Sequence, residues 1–297
     1  MENRFGLKDL LTVVLLLAVL ISIWFGLIER DRRWEQIQTI KDQVQTLNET
    51  TLAIQDKLKS GVIASSSGVQ PGVGLDQVPA FGDAIRVQQA PDYAEGGVFV
   101  GVFKNELKKL TPIVEGDYYQ RIPESYVIES LISRNPKTLE LEPFIAKSFE
   151  ISDDGLTYTF EMREDVVFSD GAPLTSEDVV FTFEQIMDPS INSPSLKSYY
   201  EIVDSVEAQG PHRVVFRLSE PYFQGLLFTG GMAILPKHYY EQFSPDEFNT
   251  KLGLLVGSGP YMLEGDPAEW TSGGDLVLVR NNRYWGPKPA LERLVFK

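Results

Sequence analysis

Residues 141–180 read LEPFIAKSFEISDDGLTYTFEMREDVVFSDGAPLTSEDVV, and the patterns in this run decide the fold. Leu156, Tyr158, Phe160 and Met162 alternate with Thr157, Thr159, Glu161 and Arg163, the two-residue period of a half-buried strand. Asp153-Asp154-Gly155 supplies the turn before it. Thr175-Ser176-Glu177-Asp178 then predicts a helix start: Thr175 can accept from first-turn amides, and the acids complement the positive helix end. Val179, Val180, Phe183, Ile186 and Met187 recur on one face until Asp188-Pro189 ends the helix.

Downstream, Ile202–Ala208 and a strand carrying Val214, Phe216 and Leu218 are joined through Gln209-Gly210-Pro211, which predicts a hairpin. Leu276–Arg280 and Leu294–Phe296 are further short strands, separated by the turn-rich Asn281–Pro289. Upstream, the pairs Val127/Ile128 and Leu131/Ile132 form one apolar stripe and predict a helix over Pro123–Ile132, stopped by Ser133-Arg134-Asn135-Pro136. Helices interleaved with hairpins argue an α/β or α+β domain rather than a pure sandwich.

The first 79 residues follow other rules. After an N-terminal tail, 1–9, Leu10–Ile28 carries 19 residues without a charge, roughly 28 Å of helix against a hydrocarbon core of roughly 30 Å. It runs into Glu29-Arg30-Asp31-Arg32-Arg33 with no small-residue cleavage site, which favours an uncleaved transmembrane anchor over a signal peptide. Arg4 and Lys8 precede the span and Arg30, Arg32 and Arg33 follow it, so the positive-inside count leans toward a cytoplasmic C-terminal side. Ile37, Ile40, Val44, Leu47, Thr51, Ile54 and Leu58 then alternate at three and four residues, the seam of a coiled coil. Residues 34–59 are read either as a self-associating stalk, and so a homo-oligomer contact, or as a lone amphipathic helix. Residues 60–79, rich in Ser and Gly, read as a flexible linker, and 80–297 as the folded domain.

Charge and composition exclude several functions. The net charge is -15 and falls wholly after residue 60, because residues 1–60 hold eight basic and eight acidic side chains. So acidic a domain repels phosphate backbones, and no nucleic-acid partner is expected. There is no cysteine, hence no disulfide, thiolate metal site or cysteine nucleophile. His212 and His238 sit in no metal-ligand pattern, and Gly257-Ser258-Gly259-Pro260 reads as a tight turn rather than a phosphate cradle. No enzyme, metal or cofactor is expected.

The run from Leu141 to Val179 resembles, in order and spacing, the family 5 extracellular solute-binding proteins, the dipeptide, oligopeptide and nickel-binding components of ABC importers. Leu235-Pro236-Lys237-His238, Gly257-Ser258-Gly259-Pro260-Tyr261 and Arg280-Asn281-Asn282-Arg283-Tyr284-Trp285-Gly286 resemble later elements of that family, and Leu110-Thr111-Pro112 an earlier one. The resemblance extends over residues 96–297 and is taken as the family's N-terminal part. Phe149 stands where the family has Trp, and Glu164 where it has Gly.

The resemblance implies a type II periplasmic-binding-protein-like α/β fold, its first lobe plus a small subdomain, with the second lobe missing or truncated. It implies a membrane-anchored component that captures a dipeptide or oligopeptide outside the cytoplasm, in the periplasm or extracellular space, and delivers it to ABC permease subunits. The rival is a non-transporting accessory or scaffold protein of the same descent. Candidate ligand contacts are Glu115, Tyr118 and Tyr119 after the first strand, and Phe228, Thr229, Gly230 and Gly231 before the Leu-Pro-Lys-His element. Loop or core packing is the other reading of those seven.

Overall fold

A computed structural model describes residues 78–116 and 118–297. In chain order they form α1 (Gly82–Gln88), β1 (Val98–Gly101), α2 (Arg121–Val127), β2 (Ile132–Arg134), β3 (Leu141–Pro143), β4 (Ala146–Ile151) and β5 (Thr157–Met162). There follow α3 (Ser176–Met187), α4 (Pro194–Tyr200), β6 (Val203–Ala208), β7 (Arg213–Leu218), α5 (Gly225–Gly230), α6 (Lys237–Tyr240) and α7 (Pro245–Thr250). The last strands are β8 (Tyr261–Leu263), β9 (Leu276–Arg280) and β10 (Arg293–Phe296).

The alternation in the opening stretch becomes the centre of an antiparallel sheet ordered β4-β5-β7-β6. Tyr158, Phe160 and Met162 are buried, as are Val214, Phe216 and Leu218 on β7, and Phe160 meets Phe216 edge-on at 5.8 Å. Truncating a fully buried phenylalanine such as Phe160 costs about 3–5 kcal/mol. Helix α3 packs against β6 and β7. The predicted hairpin is the β6–β7 pair. Phe149 lies at 6.1 Å from Phe160, and Glu164 makes a surface ion pair with Lys147 at 3.2 Å. A second sheet, ordered β1-β10-β9-β8, is antiparallel except for the parallel pair β1–β10, and it has its own core of Leu110, Leu263, Leu276, Leu278 and Phe296.

One predicted helix is divided. The stripe over Pro123–Ile132 belongs to α2 as far as Val127; Ile128 is extended (φ -110°, ψ 137°), and Ile132 begins β2. The amide of Gly259 donates to the Val127 carbonyl at 2.8 Å, so the helix end is satisfied from outside and the chain is released into an extended path. Ser130 then bridges Ala233, and β2 pairs with β3. Apolar pairs four apart serve a helix and a short buried strand equally, which is why the pattern misled.

The expectation of a single-pass membrane protein with a transmembrane helix and coiled coil is corrected. Among the described residues no helix is long and apolar enough to cross a membrane. The longest, α3, has 12 residues, about 18 Å of rise against the roughly 30 Å required. No coiled coil appears among those residues. Residues 10–28 and 34–59, on which those expectations fell, lie outside the described residues.

Candidate functional site

The turn Gly257-Ser258-Gly259-Pro260 and the segment Asn281–Trp285, far apart in sequence, close on the end of α2. A Cβ on Gly257 would stand 2.1 Å from the Val127 carbonyl oxygen, and one on Gly259 2.6 Å from that of Tyr126. Only glycine permits this approach. Asn281 locks the turn from the other side, its amide donating to Pro260 and its side-chain Nδ2 to the Gly259 carbonyl, both at 2.9 Å.

The approach brings Ser258 and Trp285 onto Glu129. Ser258 Oγ donates to Glu129 Oε2 at 2.8 Å, and the indole Nε1 of Trp285 donates to the same oxygen at 2.9 Å. Trp285 is itself held by Phe81 and Phe144, at 4.8 and 5.2 Å, and by the Arg163 guanidinium, 4.9 Å from its ring. Glu129 is only 7% exposed, and its second oxygen, Oε1, accepts no hydrogen bond. Burial pushes its carboxyl up to about 7, against the Trp285 and Ser258 donors and the nearby Tyr284 hydroxyl, which favour the charged form.

Glu129 lines a recess of about 420 Å³. One wall is the loop Pro112–Gly116; α2 and the strand leading from it, Gln120–Ser130, form the back; α4 contributes Ser195, Tyr199 and Tyr200; Gly231–Ala233 closes the end. The loop is held under backbone strain: Ile113, a β-branched residue, sits at φ 59° and is fixed there by burial. A second carboxyl, Glu124, faces the same space. Gln120 Nε2 donates to Glu124 Oε1 at 2.6 Å and to the Thr111 carbonyl at 2.8 Å. Burial also pushes Glu124 up to about 7, with the Gln120 hydrogen bond and the Arg121 charge pulling it back.

Of the seven residues expected to contact ligand, the structure brings two to the recess, Glu115 and Gly231. Glu115 accepts from Ser195 Oγ at 3.2 Å. Phe228 is stacked on Tyr199 and Tyr222, at 5.5 and 5.6 Å, behind the recess wall. Thr229 is fully buried, its hydroxyl turned back on the Gly225 carbonyl at 2.8 Å, and Gly230 lets the Ile132 side chain pack close. Tyr118 is exposed, and Tyr119 packs on Phe103 at 5.3 Å. Sequence reasoning missed Glu124 and Glu129, because it read the whole of Pro123–Ile132 as one helix and gave its acids no role. The available signal was an acid between two apolar pairs, Val127/Ile128 and Leu131/Ile132.

An α/β lobe of the periplasmic-binding-protein type, with a solvent-open recess beside its mixed sheet, is what these elements make. The pattern described as "Bacterial extracellular solute-binding proteins, family 5 Middle" matches residues 140–297, just over half the chain. The chain belongs to the bacterial extracellular solute-binding proteins of family 5. It is 35% identical over 202 residues to protein XP55 of Streptomyces lividans, covering 67% of this chain and 34% of that one. It is 30% identical over 179 residues to the oligopeptide-binding protein AppA of Bacillus subtilis, covering 58% and 31%. The structure of AppA in complex with a nonapeptide superimposes with a TM-score of 0.59 at 29% identity, covering 69% of this chain and 40% of that one. The chain thus spans about a third of the length of the curated relatives it matches.

The family assignment is corrected in one respect. The match is to the family's middle region and begins at residue 140, whereas the sequence reading took it as the family's N-terminal part from residue 96. The quoted motifs of the resemblance lie after residue 140 except Leu110-Thr111-Pro112, a short match that carried the likeness upstream. Members of this family are non-catalytic components of transport systems, and this chain is not an enzyme.

Proposed function

We propose that this lobe is an accessory or scaffold module derived from a peptide-binding protein, which holds an extended peptide segment against its recess without handing it to a transporter. The observation that carries this reading is the form of the recess, built by 112–116, 120–130, 195–200 and 231–233 and open to solvent. An open recess admits an internal stretch of a longer polypeptide as readily as a free peptide. Glu115 and Gly231 are its rim contacts in this reading; Phe228, Thr229 and Gly230 shape the wall from behind, and Tyr118 and Tyr119 flank the approach. Its similarity to a protein solved with a nonapeptide supports a peptide as occupant. The second reading, capture of free peptides for an ABC permease, draws on the kinship with oligopeptide-binding AppA.

Calorimetric titration of the 297-residue chain with nonapeptides, free or blocked at both ends, separates the two. The scaffold reading expects dissociation constants of about 10–100 μM that differ less than about threefold on blocking. Affinity near 1 μM or tighter that vanishes when the termini are blocked overturns it in favour of capture.

A further inference from the structure

A buried carboxyl and a half-buried one on the same wall are costly unless something answers them. Glu129 is 7% exposed, lines the recess, and spends Oε2 on Ser258 and Trp285 while Oε1 has no hydrogen-bond partner. Glu124, five residues earlier, lines the same recess and holds one side-chain donor, Gln120. We infer that the recess receives an organic cation, the ammonium or guanidinium group of a bound peptide, with Glu129 Oε1 as its principal acceptor and Glu124 as the second. The inference rests on the reading of the recess as a peptide site and names the side-chain chemistry that site selects.

The chemistry of the surroundings fits a cation with an apolar stem. Ile128, Ile186, Leu196 and Met232 line the recess beside the acids, so a Lys or Arg stem has apolar wall to cover while its head meets carboxylate. Among the described residues no cluster of three His, Cys, Asp or Glu side chains is placed to hold a metal ion, which turns the choice toward an organic group. The charged and titratable groups that face the two acids are Arg121 from α2, Glu115 from the loop, Tyr199 and Tyr200 from α4, Tyr240 from α6, and Tyr284 beside Trp285. Burial lifts Tyr200, Tyr240 and Tyr284 well above their ordinary range, so these three stay neutral near pH 7. Arg121 is exposed and solvated, so it answers neither acid fully. Both carboxyls lie near 7, so a cation that requires them ionised expels a proton from each that was still protonated, and binding tightens as pH rises.

The test compares acetyl-Ala-Ala-Lys-Ala-Ala-amide with its norleucine counterpart on the 297-residue chain, by calorimetry at pH 8 and pH 6. The lysine peptide is expected to bind about tenfold tighter at pH 8 and to lose about tenfold between pH 8 and pH 6, while the norleucine peptide changes little. Glu129→Gln abolishes the preference; should that variant not fold, Glu124→Gln carries the test and reduces the pH response by about half on the logarithmic scale. A norleucine peptide with a free amino terminus distinguishes a terminal ammonium from a side-chain one. Equal binding of lysine and norleucine peptides at pH 8 overturns the cation site and leaves the peptide reading standing. Binding of neither overturns the peptide reading, and n-butylammonium chloride then decides the cation site alone. Carboxyl-carbon NMR must show it lowering the Glu129 pKa, and an unmoved titration curve overturns the site.

Discussion

Asp178 and Glu129 are both acids inside the protein, 5% and 7% exposed, and they are treated in opposite ways. Asp178 has every side saturated: Oδ2 accepts the Thr175 amide at 2.8 Å and the Thr175 hydroxyl at 3.1 Å, and Oδ1 accepts the Lys237 amide at 2.9 Å. It staples the start of α3 to the start of α6. Glu129 is anchored through one oxygen, and the other is buried without a hydrogen-bond partner beside the recess that the residue lines. A structural acid is recognised by complete partnering, because any orphaned lone pair in a low-dielectric site costs free energy. An acid left half-answered beside a cavity is kept for something that arrives later. Burial raises both, and the backbone amides of Lys237 and Thr175 restrain the rise at Asp178.

The largest consequence of this contrast is expected at the saturated acid. Asp178→Ala strips the Thr175 and Lys237 amides of their acceptor, and at about 1–3 kcal/mol for each stranded donor the loss is roughly 3–5 kcal/mol. Urea unfolding followed by circular dichroism measures it. A loss under about 1 kcal/mol would show that water replaces the carboxylate freely, and the distinction between the two acids would fail.

Next in size is the pH response of Glu129. Its folded carboxyl is raised from its ordinary 4.5 to about 7, so between those values the folded protein holds a proton that the unfolded chain has released. Its contribution to stability is complete below about pH 4.5 and declines as pH rises toward 7, by up to about 3 kcal/mol. Glu124, also raised to about 7, acts in the same direction. Glu129→Gln keeps an amide oxygen for Ser258 and Trp285 but cannot ionise, so the variant is expected to lose less stability between pH 5 and pH 8 than the native chain. Identical slopes in the two proteins would mean that Glu129 ionises as freely folded as unfolded. Trp285→Phe comes third. It deletes one donor and part of the packing on Phe81 and Phe144, for about 2 kcal/mol in unfolding experiments, and it moves the Glu129 titration upward.

The saturated region was legible in the sequence and the recess was not. Alternation along Thr157–Met162, the turn at Gln209-Gly210-Pro211 and the start of α3 are local signals, and each lies within a few residues of the structure it specifies. Even there the cap is fuller than the expected one. The Thr175 side chain faces the Asp178 amide in a capping box, as the sequence reading has it, and the Asp178 carboxylate in return receives the Thr175 amide and hydroxyl. The recess draws its walls from segments between Pro112 and Ala233, and the Trp285 donor that holds Glu129 comes from 156 residues away, so no local period encodes such a meeting. Gly257 and Gly259 marked a turn, but their reason, room for the α2 carbonyls, appears only once α2 stands beside them. Strand β1 has no alternation of its own to read, since Val98, Phe99 and Val100 are all exposed, and a first strand ahead of Glu115 was expected from the resemblance alone.

The smallest effect gives the sharpest comparison, since one hydroxyl serves each acid. Thr175 Oγ1 donates to Asp178 at 3.1 Å, and Ser258 Oγ donates to Glu129 at 2.8 Å. Thr175→Ala and Ser258→Ala each remove one such donor, and each is expected to cost about 1 kcal/mol in unfolding at pH 7. Their pH profiles should differ. Asp178 keeps two backbone amides that favour its charged form, so Thr175→Ala leaves the shape of stability against pH nearly unchanged. Glu129 keeps the Trp285 indole and the nearby Tyr284 hydroxyl but no backbone amide, so Ser258→Ala weakens the charged form and carries the decline in stability to higher pH. If both variants shift the profile equally, the two acids are held by equivalent shells, and the unfilled oxygen of Glu129 has no special standing.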